Sequence, residues 1–244
     1  MDSNKTVVLI TGANGGIGYE TALLLATSAT SFHVIVGARS AEKGEKAVSD
    51  IKSQSPKGTL SHVQLDVTDS NSIKNAVSTV EKDFGRIDVL INNAGIISHA
   101  TALIDQLRET FETNTFGPAI VTEAFTPLLL KSKSPKLIYV SSNLGSITWR
   151  SDPTNPYYAL PAPAYRMSKA ALNMLLACDY ATLGSKGVKA WAYCPGYVVT
   201  NLSGTGEKGR QERVERGAGS AVDSAKGILA IWREKGCGCW KVCL

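Results

Sequence analysis

The 244 residues fit one large domain and leave no room for a second catalytic domain of ordinary size; 43% hydrophobic and 19% charged residues suit a packed core and exclude disorder. The net charge of +5 is spread out, and its densest stretch alternates Lys208, Arg210, Arg213 and Arg216 with Glu207, Glu212 and Glu215, a solvated pattern that excludes a nucleic-acid stripe. No apolar run approaches the roughly 20 residues of a membrane helix, and the N-terminal residues lack a secretory pattern, so the expected compartment is the cytosol.

The predicted elements alternate along the chain. Residues 6–10 form a short β-branched strand, followed at once by a glycine-rich turn and a helix over 16–27 with Ile17, Ala22, Leu24 and Leu25 at helical spacing. A strand at 32–36 leads to a charged helix at 41–52. A strand at 62–65 leads to a helix at 69–84 that starts on Asp69. Residues 87–91 read as a strand without polar alternation, as expected when both sheet faces are covered. Helical patterns cover 101–130, and a fifth strand covers 136–140. A long helix spans 165–183, a sixth strand 188–193, a helix 220–233 and a seventh strand 239–243. This repetition predicts a doubly wound parallel sheet of about seven strands flanked by helices, with right-handed crossovers. Two stretches interrupt it and read as substrate loops. Residues 149–163 carry Pro153, Pro156, Pro161 and Pro163 with three aromatic residues, and 201–219 is glycine-rich and charged.

The first turn, Thr11-Gly12-Ala13-Asn14-Gly15-Gly16-Ile17-Gly18, joins a strand to a helix. Glycines there let the backbone turn tightly and approach a pyrophosphate, while the helix offers its free N–H groups and positive dipole end. The second strand ends in Gly37-Ala38-Arg39-Ser40 and lacks the acid that would accept from ribose hydroxyls. Arg39 can instead bind a 2′-phosphate, which favours NADP(H) over NAD.

Tyr165 and Lys169 stand at i and i+4 of a predicted helix and share one face. An ammonium beside a phenol favours phenolate and is expected to lower the tyrosine pKa toward working pH. Ser142 ends the fifth strand at the carboxyl edge of the sheet, where such folds bind ligands. Tyr157 and Tyr158 are rival tyrosines, but Pro161 and Ala162 follow them at i+4 in place of a lysine. Cys178, Cys194, Cys237, Cys239 and Cys243 read as free thiols, the last three as small residues of the final strand. The cysteine spacing lacks a paired C-x-x-C, and His33, His62 and His99 show no ligand spacing, so no metal site is expected.

Together these motifs resemble the compact branch of the short-chain dehydrogenase/reductase family over residues 5–243. They are Thr11-Gly12-x-x-x-Gly16-Ile17-Gly18, Asn92-Asn93-Ala94-Gly95, Ser142 in Ser-x-x-Gly, Tyr165-x-x-x-Lys169 and Pro195-Gly196. The resemblance implies that Tyr165 is the acid/base and that Lys169 tunes it and holds the nicotinamide ribose. It implies that Ser142, three residues before Gly145, bonds the substrate oxygen, and that Asn114 supports a water-linked proton relay. It implies a cofactor site of Gly12, Asn14, Gly16, Ile17 and Gly18 at the first turn, with Arg39 and Ser40 after the second strand. Asp66 and Val67 after the third strand, Asn93, Ala94 and Gly95 after the fourth, and Pro195, Gly196, Val198 and Thr200 after the sixth complete it.

The implied activity is NADPH-dependent reduction of a small-molecule ketone or aldehyde. Trp149, Tyr157, Tyr158, Leu160 and Tyr197 suggest a roomy pocket for a hydrophobic or polycyclic carbonyl compound. Two other readings stay open: an NADPH-binding sensor without turnover, and an isomerase or dehydratase on the same fold. Ser142 and Tyr165 lie 23 positions apart, a longer gap than is usual in the family. The insert resembles that of monomeric carbonyl reductases and leaves both a monomer and a homo-oligomer open.

Overall fold

The computed structural model describes residues 5–202, 206–233 and 241–243. A seven-stranded parallel sheet runs through it: β1 (Thr6–Ile10), β2 (Phe32–Ala38), β3 (Thr59–Gln64), β4 (Val89–Asn92), β5 (Lys136–Val140), β6 (Lys189–Tyr193) and β7 (Lys241–Cys243). Its order is β3-β2-β1-β4-β5-β6-β7. The order reverses between β1 and β4, so the turns leaving those strands diverge and open a crevice at their carboxyl ends. Register there is tight, with Val8 opposite Val89 and Ile10 opposite Ile91.

Successive strand residues point to opposite faces, and both faces are covered. Leu9, Ile35, Leu65, Leu90, Leu137 and Tyr139 pack on one side. That side is closed by α3 (Ser70–Phe84), α5 (Gly117–Leu129) and α7 (Pro163–Leu183) through Val80, Phe125 and Leu176. Val8, Ile10, Val34, Ile91, Ile138 and Trp191 pack on the other. There α1 (Gly16–Ser28), α2 (Ala41–Lys52) and α9 (Ala221–Arg233) bring Leu25, Ile51 and Ile228. Continuous apolar strands are what a sheet buried on both faces requires.

The strands and helices stand close to their expected places. Asp69 caps α3, its carboxylate accepting from the Asn71 N–H at 2.8 Å. The helical stretch 101–130 is not one helix. It is α4 (Leu103–Phe111), a π-helical turn over Glu112–Phe116, and α5. The two expected loops are also partly helical. The short α6 (Ile147–Ser151) enters the first, capped by the Ser146 hydroxyl, which accepts from the Trp149 N–H at 3.2 Å. In the second, α8 (Gly206–Glu215) forms from Glu, Lys, Arg and Gln, all good helix formers, with Arg210 and Glu207 paired at 3.9 Å. The expected strand residues Cys237 and Cys239 lie outside the described residues, whereas Cys243 is on β7. Among the described residues, Cys178 and Cys194 are free thiols.

Candidate active site

The crevice at the switch point is a cleft of about 480 Å³. One end is the glycine turn. Gly12 holds φ at 63°, and a Cβ there would meet the Ala94 Cα at 3.0 Å. The turn therefore needs glycine twice over, for its backbone angle and for its approach to the β4 loop. Thr11 fixes that approach: its hydroxyl oxygen accepts from the N–H groups of Asn93 and Ala94, each at 3.0 Å. The Asn93 amide returns the tie, donating to the carbonyls of Thr11 at 2.8 Å and Gly12 at 3.2 Å. Gly15, at the N-terminus of α1, provides no side-chain cap, and the first turn of that helix carries no acid. The free N–H groups of Gly16 and Ile17 thus line the cleft without an internal partner for their dipole.

From that turn the wall runs past Asn14 to Arg39 at the end of β2, and along Asp66 and Val67 after β3. The Asp66 carboxylate does not cap α3; it accepts from the Thr68 N–H at 3.0 Å and hydroxyl at 2.7 Å. Gly95, Pro195 and Thr200 complete the expected wall. Thr200 reaches across toward the glycine turn, where a Cβ on Gly16 would stand 3.4 Å from its Cγ2. The Ile97 N–H donates to the Leu202 carbonyl at 3.1 Å, tying this segment to the β4 loop.

Tyr165 and Lys169 line the other end, both on α7 and both buried. The Lys169 ammonium donates to the Val140 carbonyl at 2.9 Å and stands 5.7 Å from the centroid of the Tyr165 ring. The Ser142 hydroxyl accepts from the Leu144 N–H at 3.2 Å and stands near enough to the Tyr165 phenol to favour its ionised form. Ser141 is turned elsewhere, its hydroxyl donating to the Asn173 amide oxygen at 2.6 Å. Gly145 packs the serine turn against α7, for a Cβ on it would meet the Lys169 backbone carbon at 2.6 Å.

The electrostatics reverse one expectation. Burial, the largest cause, pushes the Tyr165 phenol up to about 12, and the nearby Ser142 hydroxyl opposes this. Burial pushes Lys169 down to about 8. With the ammonium 5.7 Å from the ring centroid, desolvation is the largest influence on both groups.

Asn114 does not line the cleft. It sits fully buried in the π-helical turn, where its amide oxygen accepts from the Ile96 N–H at 2.8 Å. Its amide nitrogen donates to the Ile96 carbonyl at 3.0 Å and the Ser168 hydroxyl at 3.1 Å. Gly18, Ser40, Ser142, Gly196 and Val198 are likewise not among the residues that line the cleft. Ser40 caps α2, accepting from the Lys43 N–H at 3.3 Å, and Val198 is buried and bridges to Gly219. Sequence reasoning missed Leu65, Thr68, Ile96, Thr113, Asn201 and Leu202, which line the cleft but belong to none of the motifs. It also missed Thr11 and Asn173 as hydrogen-bond partners. The threonine immediately before Gly12 was the one available signal.

A model of the short chain dehydrogenase family matches residues 6–211. The chain belongs to that family. The short-chain dehydrogenase anuI of Penicillium roqueforti is 40% identical over 207 residues, covering 82% of this chain and 81% of that one. The short-chain dehydrogenase/reductase tropE of Talaromyces stipitatus is 35% identical over 215 residues, with the same coverage. Among solved structures, an NADPH-bound carbonyl reductase from chicken fatty liver is similar at a TM-score of 0.78 and 31% identity, covering 97% of this chain and 96% of that one. In this short-chain dehydrogenase the glycine turn and the buried tyrosine-lysine pair line one continuous groove. Among the described residues no helix is long and apolar enough to cross a membrane, and no cluster of three or more His, Cys, Asp or Glu could hold a metal ion.

Proposed function

We propose that this short-chain dehydrogenase is an NADPH-dependent reductase that converts a ketone or aldehyde to its alcohol. The observation that carries this reading is the continuity of the cleft from Arg39, past the uncapped end of α1, to Tyr165 and Lys169. The residues present fit a dinucleotide. Open N–H groups suit the pyrophosphate, the fork of Arg39 suits a 2′-phosphate, and Asp66 would supply an acceptor for the adenine amino group. When bound, the reduced nicotinamide supplies a hydride to the carbonyl carbon.

The chain's own groups supply the proton. Burial keeps Tyr165 protonated with its phenol up at about 12, so it enters the reaction as a donor. As the C=O π bond breaks, Tyr165 gives its proton to the oxygen that gains the electron pair, and the Ser142 hydroxyl hydrogen-bonds that oxygen. The phenolate left behind is stabilised by the Lys169 ammonium and regains its proton from solvent. Asn114 holds the Ile96 loop and Ser168 in place behind Lys169, a position from which it can order a relay water. The chicken carbonyl reductase, named for the same chemistry and bound to the same cofactor, supports the choice of substrate class.

NADPH absorbance followed across carbonyl compounds from small aldehydes to polycyclic quinones tests this. Wild-type enzyme should consume NADPH, and Tyr165→Phe should lose about a hundredfold or more in kcat while its NADPH Kd stays within about twofold. Tight NADPH binding without turnover on any carbonyl would favour a sensor instead.

A further inference from the structure

The arginine immediately after Tyr165 is 7% exposed, and its guanidinium hydrogen-bonds to carbonyl oxygens only. Arg166 Nε donates to the Leu160 carbonyl at 3.2 Å, and Nη2 donates to the same oxygen at 3.1 Å and to the Tyr157 carbonyl. Nη1 donates to the Leu144 carbonyl at 3.4 Å. Leu144 belongs to the turn two residues after Ser142, whereas Tyr157 and Leu160 belong to the insert before α7. One side chain on α7 thus joins the serine turn to the insert.

The insert is held backbone inward. Arg166 takes the carbonyls of Tyr157 and Leu160 while their side chains stay 38% and 45% exposed. A segment kept for core stability would bury those side chains instead. Trp149 stacks on Tyr157 with rings 6.2 Å apart and 8° from parallel, and Arg150 lies 5.1 Å from the Tyr158 ring, which adds order without burial. Ala162 closes the insert at φ 80°, a left-handed angle that a non-glycine residue keeps only when its surroundings impose it. The Ala162 carbonyl accepts from the Arg166 N–H at 3.0 Å, the bond that opens α7, so the insert ends where the helix carrying Arg166 begins.

We infer that Arg166 is a specificity-determining positioning residue: by clamping the insert to the serine turn, it presents Tyr157 and Leu160 as an apolar rim that selects bulky hydrophobic carbonyl substrates. The inference rests on the reductase reading above. A guanidinium suits the task because its planar fork serves several carbonyls at once, stays charged at working pH and carries no acid–base chemistry to compete with Tyr165.

The test compares wild type, Arg166→Lys and Arg166→Met on propanal and on phenanthrenequinone, a tricyclic substrate. In Arg166→Met the KM for the quinone should rise about tenfold or more, the loss expected when apolar contacts are misplaced, with kcat held within about twofold. Propanal KM and NADPH Kd should stay within about twofold, because neither uses the rim. Arg166→Lys should fall between the two, since an ammonium reaches fewer of the three carbonyls; it carries the same comparison if the methionine variant does not fold. Chymotrypsin should cut after Tyr157 or Tyr158 faster in both variants, a readout independent of turnover. Equal effects on the two substrates, a loss confined to kcat, or unchanged cleavage would overturn the inference. Wild-type turnover with a selectivity that Arg166→Met leaves unmoved would overturn it alone; absence of wild-type turnover would overturn the reductase reading and this one together.

Discussion

Lys169 carries a charge in a nearly fully buried position. It is 3% exposed, its ammonium donates to the Val140 carbonyl, and no salt bridge reaches it among the described residues. Burial lowers its pKa from 10.5 to about 8, so the folded protein binds that proton less tightly than the unfolded chain. Below pH 8 both states are protonated and the full penalty applies; between about 8 and 10.5 the unfolded chain holds more proton, and stability from this group rises with pH. Tyr165 has the opposite sign: its raised pKa adds stability that is present below 10 and lost as pH rises through about 12. Lys169→Met should therefore be inactive yet more stable at pH 7 by about 1–2 kcal/mol, after the cost of losing the Val140 bond is subtracted. Thermal denaturation at pH 7 and again near pH 10 checks it. The advantage should shrink at the higher pH, and a constant difference or a lower Tm would show that the buried charge is not what destabilises. The spacing of Tyr165 and Lys169 revealed that they share a face. It could not reveal the sign of their pKa shifts, because burial depends on what packs over them, and Cys194, Val140 and Ser142 come from other elements.

At the scale of elements, the turn after β5 meets α7 backbone to backbone. A methyl on Gly145 would stand 2.6 Å from the Lys169 carbon and 2.8 Å from the Ala170 nitrogen, atoms of a helix that cannot step aside. Gly145→Ala must lift the turn, and Ser142 with it, away from Tyr165. The expected result is a stability loss of about 1–3 kcal/mol and a kcat lower by about a hundredfold, the cost of a misplacement near 1 Å. Saturation kinetics and calorimetry check it, with NADPH Kd unchanged because the glycine turn of β1 lies elsewhere; full activity would mean that the turn has slack. The Ser-x-x-Gly spacing was visible in the sequence, but the reason for the glycine was not, since the crowding atoms lie on α7. The π-helical turn at Asn114 was equally hidden: a continuous helical pattern over 101–130 does not mark where one extra residue opens the spiral. Helix α8 escaped for the opposite reason. It has no apolar face to give a period, and only Gly209 is buried.

At the scale of the whole molecule, alternating strands and helices made the parallel sheet legible, because a strand covered on both faces must be apolar throughout. Those periods do not contain the strand order, yet the order is what makes the cleft. Its wall draws Gly12, Arg39 and Asp66 from β1, β2 and β3, and Gly95, Val140 and Thr200 from the β4, β5 and β6 side. A dinucleotide lying in it would touch both halves and bind only the folded chain, so its binding energy adds to the stability of the entire sheet. NADPH at about 100 times its Kd should then contribute about 2.7 kcal/mol, a rise in Tm of about 5–10 °C for a chain of this size. NADH, without the 2′-phosphate that Arg39 would hold, should at the same concentration raise Tm by far less. Arg39→Ala should bring the two shifts together by lowering the NADPH value alone, because Arg39 is exposed on the rim and supports no core packing. Differential scanning fluorimetry of both proteins with both cofactors reads all four shifts. Equal shifts with NADPH and NADH in the wild type would remove the phosphate from the recognition and return the cofactor preference to the ribose hydroxyls.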